Sequence, residues 1–68
     1  MLILCNKIKE IRHTLKLTQD DLASLVHMSQ QAIWEIESGR RFPTAYNAGI
    51  ICRALGKNFE DVFYYKEV

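Results

Sequence analysis

Proline occurs once in these 68 residues, glycine three times and cysteine twice. So little proline and glycine leaves no linker or low-complexity segment, and no internal repeat is visible. No apolar run approaches the length of a membrane span. Met1–Leu4 is too short for a signal-peptide core and has no basic region before it. The chain is therefore expected in the cytoplasm, away from membranes. Cys5 and Cys52 lie far apart, and with His13 and His27 they form neither a C-x-x-C nor an H-x-x-x-H pair. No metal site and no cofactor is expected, and the thiols read as buried or idle. A cytosolic address also argues against a disulfide. No sign of charge dominates: nine basic against eight acidic residues give a net charge of +1. Any phosphate-binding surface must then come from sorting charge onto one face. A Gly-rich phosphate loop, a catalytic triad and a carboxylate pair are all missing, since Glu35 and Glu37 fall on different faces of one helix. An enzyme is not expected.

What is present is a chain that should fold, with 49% hydrophobic residues in a length that makes one domain over residues 1–68. Its core must be modest, and oligomerisation commonly helps at this size. Five helices can be read. The first runs from about Asn6, a fair N-cap, to Leu15, with Ile8, Ile11 and Leu15 at helical spacing. Thr18-Gln19-Asp20-Asp21 has capping-box spacing, and its aspartates suit the positive end of a helix dipole. This second helix should bury Leu22, Leu25 and Val26 and end near Val26. His27-Met28-Ser29 is a tight turn, and Ser29 caps a third helix from Gln30 to Glu37 that Ser38-Gly39 ends. Arg40–Pro43 is a loop. Thr44 caps a fourth helix reaching Leu55 and stopping at Gly56, and Asn58 caps a short fifth from Phe59 to about Phe63, with Phe59, Val62 and Phe63 facing the core. Met1–Leu4 and the β-prone Tyr64–Val68 are too short for helices and can pair as an antiparallel ribbon, marginal unless helices or a second subunit back it.

Two short helices joined by a turn across residues 19–37 have the layout of a helix-turn-helix, whose second helix enters the DNA major groove. At about 100° per residue, Ala32, Ile33 and Ile36 fall together on the third helix and face the core. Gln31, Trp34 and Ser38 fall opposite, flanked by Gln30 and Glu35, with Glu37 at the core edge. Two glutamines alone are good helix formers on a solvated face. At the N-terminus of the second helix of such a unit they have the right shape for adenine. Trp34 is a large aromatic on the polar face. It can meet a DNA sugar or thymine methyl, fold over the Arg41 stem, or serve a dimer contact.

These residues resemble the helix-turn-helix of lambdoid phage repressors and Cro, and the small bacterial regulators built on it. The family's T-Q-x-x-L-A is Thr18-Gln19-Asp20-Asp21-Leu22-Ala23, its recognition opening Ser29-Gln30-Gln31, and its I-x-x-[IL]-E-x-G runs from Ile33 to Gly39. Pro43 and the Ala54-Leu55-Gly56 triplet follow. The resemblance implies an all-α, five-helix DNA-binding domain. It implies Gln19 buttressing Gln30 and touching phosphate, with Ser29, Gln30, Gln31, Trp34 and Glu35 nearest the bases. Arg40 and Arg41 would contact backbone phosphate. It also implies that Arg12 and Glu37 meet as a partly buried ion pair, the alternative being two solvated surface charges. Several compact members are dimers with strands formed by their termini. Two departures stand out. His27 replaces a frequent Gly at a turn needing positive φ, which His tolerates better than branched residues do. Trp34 and Glu35 replace small or neutral residues, and Glu35 would repel phosphate but can accept from cytosine N4.

The expected function is a sequence-specific regulator binding double-stranded DNA, a homodimeric repressor whose interface includes Phe63, Tyr64 and Tyr65. The alternative is a protein-interaction module, such as an antitoxin-like partner, using an apolar patch around Trp34, Tyr46, Tyr64 and Tyr65. Steep weakening with salt would mark the first and not the second.

Overall fold

A computed structural model describes every residue from Met1 to Val68. The chain runs β1 (Leu2–Asn6), α1 (Ile8–Thr14), α2 (Gln19–Val26), α3 (Gln30–Glu37), α4 (Ala45–Leu55), α5 (Phe59–Val62) and β2 (Phe63–Glu67). The five helices enclose a small core in which Ile8, Leu22, Ile33, Ile36, Ile51 and Val62 are sealed from solvent. The termini form a two-stranded antiparallel sheet, Leu2 opposite Glu67 and Asn6 opposite Phe63. Such a ribbon is marginal alone. Here Leu4 and Phe63 pack it against the helical core.

The helices start where side chains satisfy orphan amides. Thr18 accepts from the Asp21 amide while Asp21 accepts from the Thr18 amide, a closed capping box. That hydrogen bond from the Thr18 backbone, with a second from its hydroxyl, holds the Asp21 carboxyl below the usual carboxylate range. Ser29 and Thr44 cap α3 and α4 through the amides of Ala32 and Asn47. The first four helices also end alike. The residue after the cap bonds back three residues and the next bonds back five, which closes a Schellman motif. Lys16 and Leu17 do this for α1, His27 and Met28 for α2, Gly39 and Arg40 for α3, Gly56 and Lys57 for α4. The motif needs a left-handed residue. Two of the four are not glycine: Lys16 sits at φ 59° and His27 at φ 57°.

Four expectations are corrected. Asn6 does not begin α1. It ends β1, its Oδ1 accepting from the Ile8 amide at 3.1 Å and its Nδ2 donating to the Ile36 carbonyl at 3.0 Å. One side chain thus satisfies the first amide of α1 and ties that helix to the end of α3. Leu25 and Leu15 stand on the surface, at 55% and 46% exposure, because α1 and α2 each present only a narrow stripe to this small core. Phe59 is 42% exposed and covers Phe63, with ring centroids 5.0 Å apart. Phe63 belongs to β2 rather than to the last helix.

An exposed His27 in the left-handed region carries backbone strain with no packing to offset it. His27→Gly is expected to stabilise the fold by roughly 0.5–1 kcal/mol, the strain relieved less the extra freedom glycine gains on unfolding. Urea unfolding measures this, and a loss of stability on substitution would mean that the His27 side chain makes a contribution its exposure does not reveal.

Candidate nucleic-acid interface

The α2–turn–α3 unit presents the N-terminal end of α3 outward. Ala32, Ile33 and Ile36 bury one face of α3, leaving Ser29, Gln30, Gln31 and Trp34 exposed on the other. The Ser29 hydroxyl is engaged in the cap, accepting from the Ala32 amide at 3.0 Å. The two glutamine amides stand beyond it at the positive end of the helix dipole.

Behind this surface lies a continuous polar network. Arg12, only 5% exposed, is the one buried charged residue. Its Nε donates to Glu37 Oε2 at 2.8 Å, its Nη2 to Glu37 Oε1 at 3.1 Å, and its Nη1 to the Leu17 carbonyl at 2.9 Å. Both side chains of the ion pair are 6% exposed. Glu37 Oε1 accepts a further bond from Gln19 Nε2 at 3.2 Å, and Gln19 Oε1 accepts from Gln30 Nε2 at 3.1 Å. The structure therefore brings Arg12, Glu37, Gln19 and Gln30 into one chain of hydrogen bonds from the interior to the exposed end of α3. No buried side-chain polar atom lacks a partner. The Gln19–Glu37 bond is the link that sequence reasoning did not supply. Its signal was there: Gln30 and Glu37 are seven residues apart, which is two turns and one stripe of a helix.

The loop after α3 is also tied to that helix. The Arg40 guanidinium lies 5.0 Å from the centroid of the Trp34 ring. Arg41 Nη1 pairs with Glu35 Oε1 at 3.3 Å. Trp34 is thus covered by Arg40. Glu35 is half-buried and occupied by Arg41. An open groove of about 410 Å³ runs beside Gln19 and Gln30, lined also by Arg12, His13, Lys16 and Asp20. His13 and Lys16 stand beside the glutamines, a place that sequence reasoning assigned to neither.

The residues expected at a dimer interface divide. Tyr64 and Tyr65 are exposed on β2. Phe63 is not available: at 3% exposure it is part of the chain's own core, because it opens β2 directly after α5 and is the one residue of that strand held against the helices. Cys5 and Cys52 are both free thiols. Burial, with smaller contributions from Glu60 and Asp61, pushes the Cys52 thiol up and leaves it a protonated core group. No three His, Cys, Asp or Glu side chains gather as a metal site, and no helix is long and apolar enough to cross a membrane.

Comparison with known proteins places this geometry. A helix-turn-helix family model matches residues 8–62. The chain is similar to an uncharacterized HTH-type transcriptional regulator of Methanocaldococcus jannaschii, 39% identical over 62 residues that cover 91% of this chain and 94% of that protein. It is 43% identical to another from Methanothermobacter thermautotrophicus, over 61 residues and 88% of each chain. Among solved structures it resembles the clp gene regulator ClgR from C. glutamicum. The TM-score is 0.74 at 26% identity, covering 79% of this chain and 70% of that one.

The buried pair generates a stability prediction. Arg12→Ala leaves Glu37 without its partner in the interior and should destabilise by roughly 3–5 kcal/mol. A domain of this size has a total stability of about 3–10 kcal/mol, so the variant should lie close to unfolding at 25 °C. A loss under about 1 kcal/mol in urea would be the behaviour of a surface pair and would contradict the burial.

Proposed function

This chain belongs to the Cro-type helix-turn-helix family of DNA-binding transcriptional regulators, and from that premise we propose that it is a sequence-specific homodimeric repressor acting in the cytoplasm. The observation that carries the reading is the exposed amide pair Gln30–Gln31 at the capped N-terminus of α3, with Gln30 braced from behind by Gln19. In this reading α3 lies in the major groove and its first residues face base edges. A glutamine amide offers an acceptor beside a donor, which matches N6 and N7 of adenine. Ser29, Trp34 and Glu35 complete the base-proximal set. Gln19, Arg40 and Arg41 contact phosphate, which sets position and carries no direct sequence information. A dimer seated on its site excludes other proteins from that DNA, the simplest form of repression.

One module of this size reads few base pairs, so specificity calls for two, on half-sites about 34 Å apart. The proposed interface uses Tyr64, Tyr65 and Met1–Leu4. Tyr65 is 65% and Leu2 62% exposed, and the ribbon has two open edges. The second reading, an antitoxin-like module that holds another protein, draws on Tyr46, 77% exposed on α4.

The two classes of DNA-binding residue should fail differently. Gln30→Ala or Gln31→Ala should cost roughly 1–3 kcal/mol on the preferred site and much less on random DNA. Arg40→Ala or Arg41→Ala should weaken both, and reduce the salt slope by about one for each phosphate left unneutralised in each half-site. Binding to matched and random duplexes across a salt series measures this. Equal losses on both duplexes for the glutamine variants would remove the base-reading assignment, and salt-insensitive binding would favour the protein-interaction reading. Sedimentation at micromolar concentration tests the dimer, which a species monomeric both free and on DNA would eliminate.

A further inference from the structure

We propose that Glu37 is a positioning residue for base readout: its carboxylate fixes which way round the Gln19 and Gln30 amides point, and so sets a preference for adenine over guanine opposite Gln30. The proposal rests on Gln30 being a base reader and adds what orients it.

The argument follows from what each group can donate. A carboxylate only accepts hydrogen bonds, whereas a glutamine amide has one end that donates and one that accepts. Gln19 sits against Glu37 Oε1 at 3.2 Å, so it must turn its nitrogen there. Its oxygen then faces Gln30, which must answer with its own nitrogen, at 3.1 Å. Gln30 is left with its whole carbonyl oxygen and one N–H for the groove. An acceptor beside a donor fits adenine, whose N6 donates and N7 accepts. Guanine presents two acceptors, O6 and N7, and one of them would face the Gln30 oxygen with no proton between. A reversed chain would spend the Gln30 oxygen on Gln19 and offer two N–H groups, the pattern guanine takes. Glu37 cannot adjust to either base. Arg12 grips both of its oxygens, and its side chain is 6% exposed. A group that never touches DNA thereby decides the polarity of one that does.

The test compares duplexes that carry A·T or G·C at the base pair facing Gln30, identified as the position where Gln30→Ala abolishes discrimination. Phosphate contacts are the same in both, so the affinity ratio isolates the base. The wild-type chain should favour adenine on the order of tenfold or more. In Glu37→Gln, the new amide gives its oxygen to Arg12 and its N–H to Gln19, which reverses the chain. The ratio should fall to parity or invert toward guanine. Adding Gln19→Glu to that variant puts a carboxylate between the two amides, turns Gln30 back, and should recover the preference for adenine. Glu37→Gln leaves Arg12 without its counter-charge and can fail to fold. Gln19→Ala keeps the ion pair intact, frees the Gln30 amide to turn either way, and should bring the ratio toward parity. A wild-type ratio in folded Glu37→Gln or in Gln19→Ala overturns the proposal, and so does a folded double variant that does not recover adenine. Discrimination that survives Gln30→Ala at every position overturns instead the reading of Gln30 as a base reader.

Discussion

The Arg12–Glu37 ion pair is the interaction on which the rest of the structure depends. A charge in the interior is tolerated only when paired and hydrogen-bonded, and here the guanidinium uses three of its donors on Glu37 and Leu17. Those bonds join α1, the turn that leads into α2, and the end of α3. A hydrophobic pair of the same volume would serve stability equally well or better. What it could not do is pass an orientation outward. The carboxylate has acceptor capacity left after Arg12, and Gln19 and Gln30 take it up in sequence to the surface. Stability and the geometry of the exposed amides are therefore set by one group.

The terminal ribbon answers a different constraint. Five short helices around so small a core leave part of it to be closed by something else. Phe63 joins the core and Leu4 packs against it, with Asn6 holding the α3 carbonyl end. The sheet gains from the helices the support a lone two-stranded ribbon lacks.

Legibility in the sequence followed the range of the interactions. Residues that act locally were readable. Thr18, Ser29 and Thr44 announce helix starts by bonding an amide three residues on, and α2, α3 and α4 begin and end where those signals place them. The core face of α3 followed from its period. Misreadings came where a distant partner decides. Asn6 has the chemistry of a cap and spends it on the Ile8 amide, but pairing with the distant Phe63 makes its backbone the end of a strand. Leu25 and Phe59 keep the helical spacing of core residues, and only the outline of the packed molecule leaves them on the rim. Lys16 gives no sign of positive φ, because the Schellman closure imposes it from outside the residue. At the site, Gln30 was readable from its place at the start of α3 and Gln19 came from the family resemblance, while the Gln19–Glu37 bond that orients them depends on how α2 packs across α3.

The near-neutral charge of the chain, +1, bears on how such a protein can hold DNA at all. The loop arginines differ in what they offer. Arg41 is paired with Glu35, so a phosphate must compete with a carboxylate for it. Arg40 lies over the Trp34 ring, 5.0 Å from its centroid, and is paired with no carboxylate. Its N–H donors are not committed to a carboxylate. The exposed tryptophan restricts the freedom of Arg40 before any ligand arrives, so less is lost when those donors meet an oxyanion. On the proposed docking, Arg40 is then the stronger phosphate anchor of the two. The aromatic residue that looked out of place on a polar face becomes the support that aims it.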